Sequence, residues 1–222
     1  LDDYKKHVDE RAELNIPPLP LDADQTSELI SLLKEKNNDP DYLLNLLKER
    51  VPAGVDQAAY VKAAFLADIT TGNASSPYIS KIDAVEILGT MLGGYNVEPL
   101  IRCLEIEELA ETASHVLGRT LLIFDAFNEI FELSKKNKYA KKVIEEWADA
   151  KWFTEKEDIK DQIKLTVFKV SGEINTDDLS PAPDAWSRPD IPLHALAMFK
   201  MPRTGLDDPL GTIEKLKEKG NP

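Results

Sequence analysis

The sequence has 222 residues, enough for one domain or two small ones, and its 42% hydrophobic and 30% charged residues are an ordinary balance for a globular protein. The single cysteine, Cys103, excludes an internal disulfide and a zinc or iron–sulfur site built from this chain's cysteines alone. The net charge of −13 disfavours nucleic acid as the main partner, because an acidic protein repels phosphate backbones at long range.

The chain opens with a charged segment, LDDYKKHVDERAELN, which lacks the apolar core of a signal peptide. No apolar run in the sequence approaches the ~20 residues that span a bilayer. We therefore expect a cytoplasmic protein that has no membrane partner.

Residues 1–160 predict a series of short amphipathic helices. Asp22 and Gln25 have the spacing of a capping box, Asp39-Pro40 interrupts the chain, and Ser80 is placed to cap a further helix. The apolar periodicity predicts helices around 22–33, 43–47, 58–69, 81–91, 99–104, 107–124, 126–136 and 139–152. Such lengths and connections suit an α-solenoid of stacked helical pairs, and they suit an irregular helical bundle equally well.

The periodicity changes at residue 163, where Ile163, Leu165 and Val167 alternate with polar residues and predict a strand. No second clear strand follows, only short helices over 193–199 and 212–219. A lone strand leaves its backbone hydrogen bonds unsatisfied. It would pack on the helical domain, pair with another chain, or belong to a sheet whose other strands lie outside this sequence, and the last interpretation is preferred.

A proline-rich loop over 172–194 holds the richest set of chemical groups. Arg188 is the best candidate for binding a carboxylate, because its guanidinium fork engages two oxygens at once. Asp177 is placed to orient a catalytic partner or to shift its pKa. The competing interpretation makes Asp177 and Asp178 turn or cap residues and pairs Arg188 with Asp184 or Asp190; from composition alone it is favoured.

The loop sequence NTDDLSPAPDAWSRPDIPLHALAM strongly resembles the start of the swivel domain of the bacterial aconitase B family. Upstream, VPAGVDQAAYVKAAFLA and AVEILGTMLGGYNVEPLI resemble the HEAT-like helical domain of the same family, in the same order. The resemblance implies a mainly α fold: a HEAT-like α-solenoid over residues 1–158, followed by the beginning of an α/β swivel domain over residues 159–222.

The resemblance further implies a role in a hydro-lyase that interconverts citrate and isocitrate through cis-aconitate in the citric acid cycle. The family uses a [4Fe–4S] cluster held by three cysteines, and its substrate-binding swivel arginine falls on Arg188. A family aspartate falls, less closely, on Asp177. The family's serine-base motif and cluster cysteines are absent from this sequence. We therefore expect the chain to bind no cluster and to be inactive alone.

Two partner hypotheses remain beside catalysis. The resemblance implies self-association and protein contacts through the helical domain, and messenger RNA binding once the cluster is lost. KKNKYAKK, residues 135–142, is the strongest basic cluster and would be the RNA contact. The simpler interpretation makes these lysines a solvated helix end near the C-terminal carbonyls. A non-catalytic interaction module is thus the alternative function.

Overall fold

The computed structural model describes residues 1–13, 18–92, 94–120, 123, 126–155, 161–187, 194–201 and 203–219. The described chain divides into two compact units: Leu1 with Pro20–Lys156, and Asp2–Leu19 with Glu157–Pro222. The predicted division at 158/159 stays a prediction. None of the described helices is both long and apolar enough to cross a membrane.

The first unit is helical throughout its described elements. They are α2 (Ala23–Leu33), α3 (Pro40–Asn45) continued by a π-helical turn (Leu46–Arg50), α4 (Gln57–Thr71), α5 (Lys81–Gly89), α6 (Val97–Cys103), α7 (Ala110–Leu117), α8 (Ala126–Ser134), α9 (Lys138–Ala148) and α10 (Lys151–Thr154). The prediction of a mainly α fold is confirmed.

Polar side chains fix several of the helix starts. Asp22 and Ser80 each form a capping box, at α2 and α5, that satisfies backbone N–H groups which a helix cannot pair internally. Asn137 caps α9 by accepting from Tyr139 N and Ala140 N at 2.8 and 3.1 Å. The capping signals in the sequence therefore correspond to real helix starts.

Leucines from successive helices form the core of the first unit. α4 packs against α2 and α5, α5 against α7, and α9 against both α7 and α8. Burying a leucine contributes about 1.5–3 kcal/mol, so each member of this set stabilises the unit substantially. The leucines that are fully buried there include Leu29, Leu33, Leu47, Leu66, Leu88, Leu100, Leu104, Leu109 and Leu117. The contacts run mainly between helices close in sequence, and the solenoid assignment stays a prediction.

Two predicted helices are wrong in extent. The helix expected over 107–124 is shorter, because turns cover 104–109 and α7 ends at Leu117, before Gly118. The helix expected over 139–152 is two helices, α9 and α10. Ala150 separates them with a φ of +51°, a left-handed conformation that no α-helix of L-residues continues through.

The second unit has α1 (Asp2–Glu13), α11 (Thr176–Leu179), a 3₁₀ helix (Ala182–Ser187) and α12 (Pro209–Lys217). α12 confirms the polar helix expected over 212–219, and α1 was not predicted. The short helix expected over 193–199 is helical only at residues 194–195 and a turn at 196–199, and residue 193 lies outside the described residues.

The strand expected from Ile163 is wrong for the described chain. Residues 162–171 are neither helix nor strand, and Ile163, Leu165 and Val167 are 59%, 63% and 77% exposed. The physical reason is pairing: a strand is stabilised by a neighbour's backbone, and the described part of the second unit offers only an isolated bridge between Arg203 and Leu206.

Candidate functional site

The predicted site residues lie in the second unit. Asp177, Asp178, Ser180, Asp184 and His194 are all described, whereas Arg188 and Asp190 lie outside the described residues. The competing pairing of Arg188 with Asp184 or Asp190 therefore stays a prediction as well. The structure describes residues 161–187, which precede Arg188, and residues 194–201, which follow it.

The helix α11 carries both aspartates, which play different parts. Asn175 caps α11 by accepting from Asp177 N at 2.9 Å and Asp178 N at 3.2 Å. The Asp178 carboxylate completes a capping box by accepting from Asn175 N at 2.9 Å. Asp177 is exposed, and its Oδ1 accepts from Ala182 N at 3.3 Å. Asp178 is therefore a cap, whereas the Asp177 carboxylate is open to solvent.

The sequence reasoning missed Arg203, which binds three acceptors at once. Its Nη1 donates to Asp178 Oδ2 at 2.8 Å, and its Nη2 donates to the carbonyls of Ser171 and Glu173 at 3.2 and 2.6 Å. The Asn175 N–H first, and the Arg203 guanidinium second, hold the pKa of Asp178 below its ordinary value. No local pattern links residues 178 and 203, so only the fold brings them together.

Further contacts join the two sides of the loop. Phe199 N donates to the Asp178 carbonyl at 2.6 Å, and Lys200 Nζ lies 3.0 Å from both carboxylate oxygens of Asp184. Ser180 Oγ and His194 Nε2 share a hydrogen bond of 2.9 Å. The described ends of the loop are thus fastened by two buried carboxylates, Asp178 and Asp184, that each hold a cation.

The lysine cluster of the first unit is largely neutralised on its own surface. Lys135 pairs with Glu132 at 2.6 Å, Lys141 with Glu145 at 3.6 Å, and Lys142 with Glu146 at 3.9 Å. Lys138 lies over the Tyr139 ring, 4.7 Å from its centre. This arrangement favours the solvated helix face over an RNA contact, and RNA binding stays a prediction.

An open cleft of about 450 Å³ lies beside that cluster, lined by charged residues of α7, α9 and α10. Arg119 donates to Glu146 at 3.3 Å and also pairs with Glu155, while Lys151 pairs with Glu155 at 3.5 Å. Because acidic and basic groups in the cleft bind one another, the cleft offers a ligand little unbalanced charge.

The described residues contain no group of three or more His, Cys, Asp or Glu side chains that would hold a metal ion. Cys103 is fully buried in the first unit, and burial raises the pKa of its thiol. A thiol kept protonated in an apolar core is a poor metal ligand, because the thiolate is the form that ligates.

Comparison with known proteins covers both units. A family profile described as the aconitate B N-terminal domain matches residues 3–153, and one described as the aconitate hydratase 2 N-terminus matches residues 165–222. The chain is 54% identical over 231 residues to aconitate hydratase B of Pseudomonas aeruginosa and 52% identical over 231 residues to that of Escherichia coli. Each alignment covers 100% of this chain and 27% of the relative.

A more distant relative, aconitate hydratase B of Helicobacter pylori, is 46% identical in an alignment of 224 positions that covers 100% of this chain and 26% of that protein. The chain therefore spans about a quarter of the length of these curated relatives.

Proposed function

The chain belongs to the aconitate hydratase B family, and we propose on that premise that it is the N-terminal part of a hydro-lyase that interconverts citrate and isocitrate through cis-aconitate. The observation that carries the proposal is the match of both profiles, in order, along nearly the whole chain. In this proposal the first unit is the helical domain, and the loop after residue 172 contributes to the substrate site.

Arg188 is the residue we propose for binding a substrate carboxylate. Citrate and isocitrate each carry three carboxylates, and a guanidinium holds a carboxylate through two parallel charge-assisted hydrogen bonds. Two other acids of the loop, Asp178 and Asp184, have cationic partners in Arg203 and Lys200. Each of these two acids thus has a cationic partner among the described residues.

Asp177 is the residue we propose for an orienting role. Its carboxylate is exposed and accepts one backbone hydrogen bond, at 3.3 Å, so its negative charge is available to a partner. Replacing it with Asn would keep the acceptor for Ala182 N and remove the charge. An orienting role needs the charge, so Asp177→Asn should impair it. A turn role needs only the hydrogen-bond acceptor, so Asp177→Asn should preserve it.

The [4Fe–4S] cluster of the proposed enzyme does not fit this chain. A cluster needs several cysteine thiolates, and the chain has one cysteine, whose thiol is fully buried in a helical core. We therefore assign the cluster to another part of the full-length protein and derive no chemical step through it. Self-association through the helical unit also stays a prediction.

The test uses a full-length aconitate hydratase that carries this segment at its N-terminus. We expect Arg188→Ala to raise the KM for citrate and isocitrate at least about tenfold, because a buried or oriented charge-assisted hydrogen bond is worth roughly 1.5–3 kcal/mol. Arg188→Lys should recover part of that loss. Steady-state kinetics in both directions measure the effect.

The matched control is Arg102→Ala, which removes an arginine that pairs with Glu98 at 3.6 Å on the exposed face of α6. Its kinetic constants should equal those of the wild type. Wild-type KM values for Arg188→Ala would overturn the arginine assignment. Wild-type kinetics for both Asp177→Asn and Asp177→Ala would overturn the orienting role. A raised KM in Asp177→Ala alone would show that Asp177 only stabilises the turn.

A further inference from the structure

Arg203 lies 25 to 32 residues along the chain from the three groups it binds, and neither its role nor its partners follow from the proposed function. The guanidinium reaches the two carbonyls that flank Gly172 and the carboxylate of Asp178, so one side chain joins the start of the loop, the helix α11 and the segment after the loop. The Arg203 side chain is 20% exposed and that of Asp178 is 10% exposed, which shields the ion pair from water.

The backbone at Gly172 is shaped for this contact. Gly172 has a φ of +84°, a conformation that glycine adopts without steric cost. The carbonyls of the residues before and after it then accept from the same nitrogen of Arg203. A turn that presents two carbonyls to one guanidinium fork matches the planar donor geometry of arginine, and a lysine ammonium cannot reproduce that match.

We propose that Arg203 is a positioning residue for substrate binding: it fixes the segment 171–179, including the helix α11, in the conformation that presents Asp177 to the substrate. This inference rests on the proposed function, since it assumes that the segment takes part in the substrate site. Arg203 itself does not touch the substrate in this proposal. Its effect is transmitted through Asp178, whose side chain Arg203 binds and whose carbonyl accepts from Phe199 N on the other side of the loop.

The test is made in the full-length enzyme with Arg203→Lys, which keeps the charge and removes the fork. We expect the KM for citrate and isocitrate to rise about tenfold while kcat changes less than about threefold, because misplacing a binding group by about 1 Å is costly. A merely structural role would lower the yield of folded enzyme or kcat and leave KM unchanged. Wild-type KM values for a folded Arg203→Lys enzyme overturn the inference.

A second variant keeps the test decisive if Arg203→Lys folds poorly. Asp178→Asn removes the other member of the ion pair and retains the carbonyl that binds Phe199 N. It should raise KM in the same direction, and the double variant should be no worse than the poorer single variant, because both act on one contact. Additive losses in the double variant overturn the inference.

The matched control is Lys217→Met, which removes a cation that pairs with Glu214 at 2.8 Å on exposed α12 and should leave KM unchanged. Failure of the proposed function is distinguishable from failure of this inference. If Arg188→Ala raises KM and Arg203→Lys does not, only the inference fails. If Arg203→Lys raises KM and Arg188→Ala does not, only the arginine assignment fails.

Discussion

At the scale of single residues, the helical unit depends on a few polar side chains that close helix ends. Ser80 is the clearest example: its hydroxyl accepts from Asp83 N at 3.1 Å and donates to Asp83 Oδ2 at 2.6 Å. That second hydrogen bond, more than any other group, holds the pKa of Asp83 below its ordinary value. The cap thus couples the start of α5 to the charge state of one carboxylate.

We predict that Ser80→Ala lowers the free energy of unfolding by about 1 kcal/mol at pH 7, the usual cost of losing a cap. Because the pKa of Asp83 is lower in the folded chain, its stabilisation is complete above the ordinary carboxylate pKa of about 4 and is lost as the pH falls through the folded value. The difference between wild type and variant should therefore narrow at pH 3.

Urea denaturation followed by circular dichroism at both pH values measures this difference. The control is Ser31→Ala, whose exposed hydroxyl only donates back to the Ser27 carbonyl within α2. It should change stability by less than about 0.5 kcal/mol. An equal deficit of Ser80→Ala at pH 7 and pH 3 would contradict the coupling to Asp83.

At the scale of elements, the contact between α7 and α9 brings a glycine close to a buried carboxylate. Gly118 follows α7, and a Cβ built there would lie 1.9 Å from Glu146 Oε2 on α9. Among the described residues of the first unit, Glu146 is the one buried acidic residue, and it accepts from Arg119. The glycine is therefore needed for close approach and not for an unusual φ.

We predict that Gly118→Ala lowers the free energy of unfolding by about 1–3 kcal/mol, because the added methyl displaces Glu146 from Arg119. Gly54→Ala is the matched control, since nothing lies within 4 Å of a Cβ at that position. It should be neutral or slightly stabilising. Chemical denaturation measures both variants, and equal stabilities would contradict the close-approach argument.

The sequence predicted elements whose ends depend on residues within one helical turn. It did not predict features that depend on residues distant in the chain. Asp22 and Ser80 are capping residues that act within one turn, so the helices they begin were predicted. Asp39-Pro40 was predicted only as a break, whereas in the structure Asp39 caps α3 and Pro40 is its first residue. The break at Ala150, whose φ is left-handed, carries no sequence signal, since alanine is the best helix former.

The candidate site shows the same limit. The competing interpretation anticipated Asp177 and Asp178 as turn or cap residues, and in the structure Asp178 forms a capping box with Asn175, which was not anticipated. Arg203 was not anticipated, because its three acceptors lie 25 to 32 residues away in the chain. The alternation of apolar and polar residues at Ile163, Leu165 and Val167 predicted a strand. A strand also needs the backbone of a neighbouring strand, and the alternation carries no information about that neighbour.

At the scale of the whole molecule, different interactions stabilise the interior of each unit. A core of buried leucines stabilises the first, whereas ion pairs and backbone hydrogen bonds around Asp178 and Asp184 organise the described loop of the second. Residues 162–171 lack regular structure and expose the side chains of Ile163, Leu165 and Val167. Resistance to local opening should therefore differ strongly along the chain.

We predict that trypsin at low concentration cleaves the 222-residue chain first at Lys164 or Lys169, because both lysines are exposed in this irregular segment. Mass spectrometry of the first products identifies the site. Lys164→Gln combined with Lys169→Gln should slow the first cut without changing the helical content. A first cut within α4 or α5 would contradict the difference between the units.

The burial of Cys103 makes its thiol a reporter of transient opening of the helical core. The thiol is fully shielded among the helices of the first unit, it is the only one in the sequence, and burial raises its pKa. An alkylating reagent in solution reacts with a thiolate that it can reach, so labelling proceeds only through molecules whose helical core has transiently opened. The extent of alkylation over time then measures the opening equilibrium of that core in the wild-type sequence, with no residue replaced.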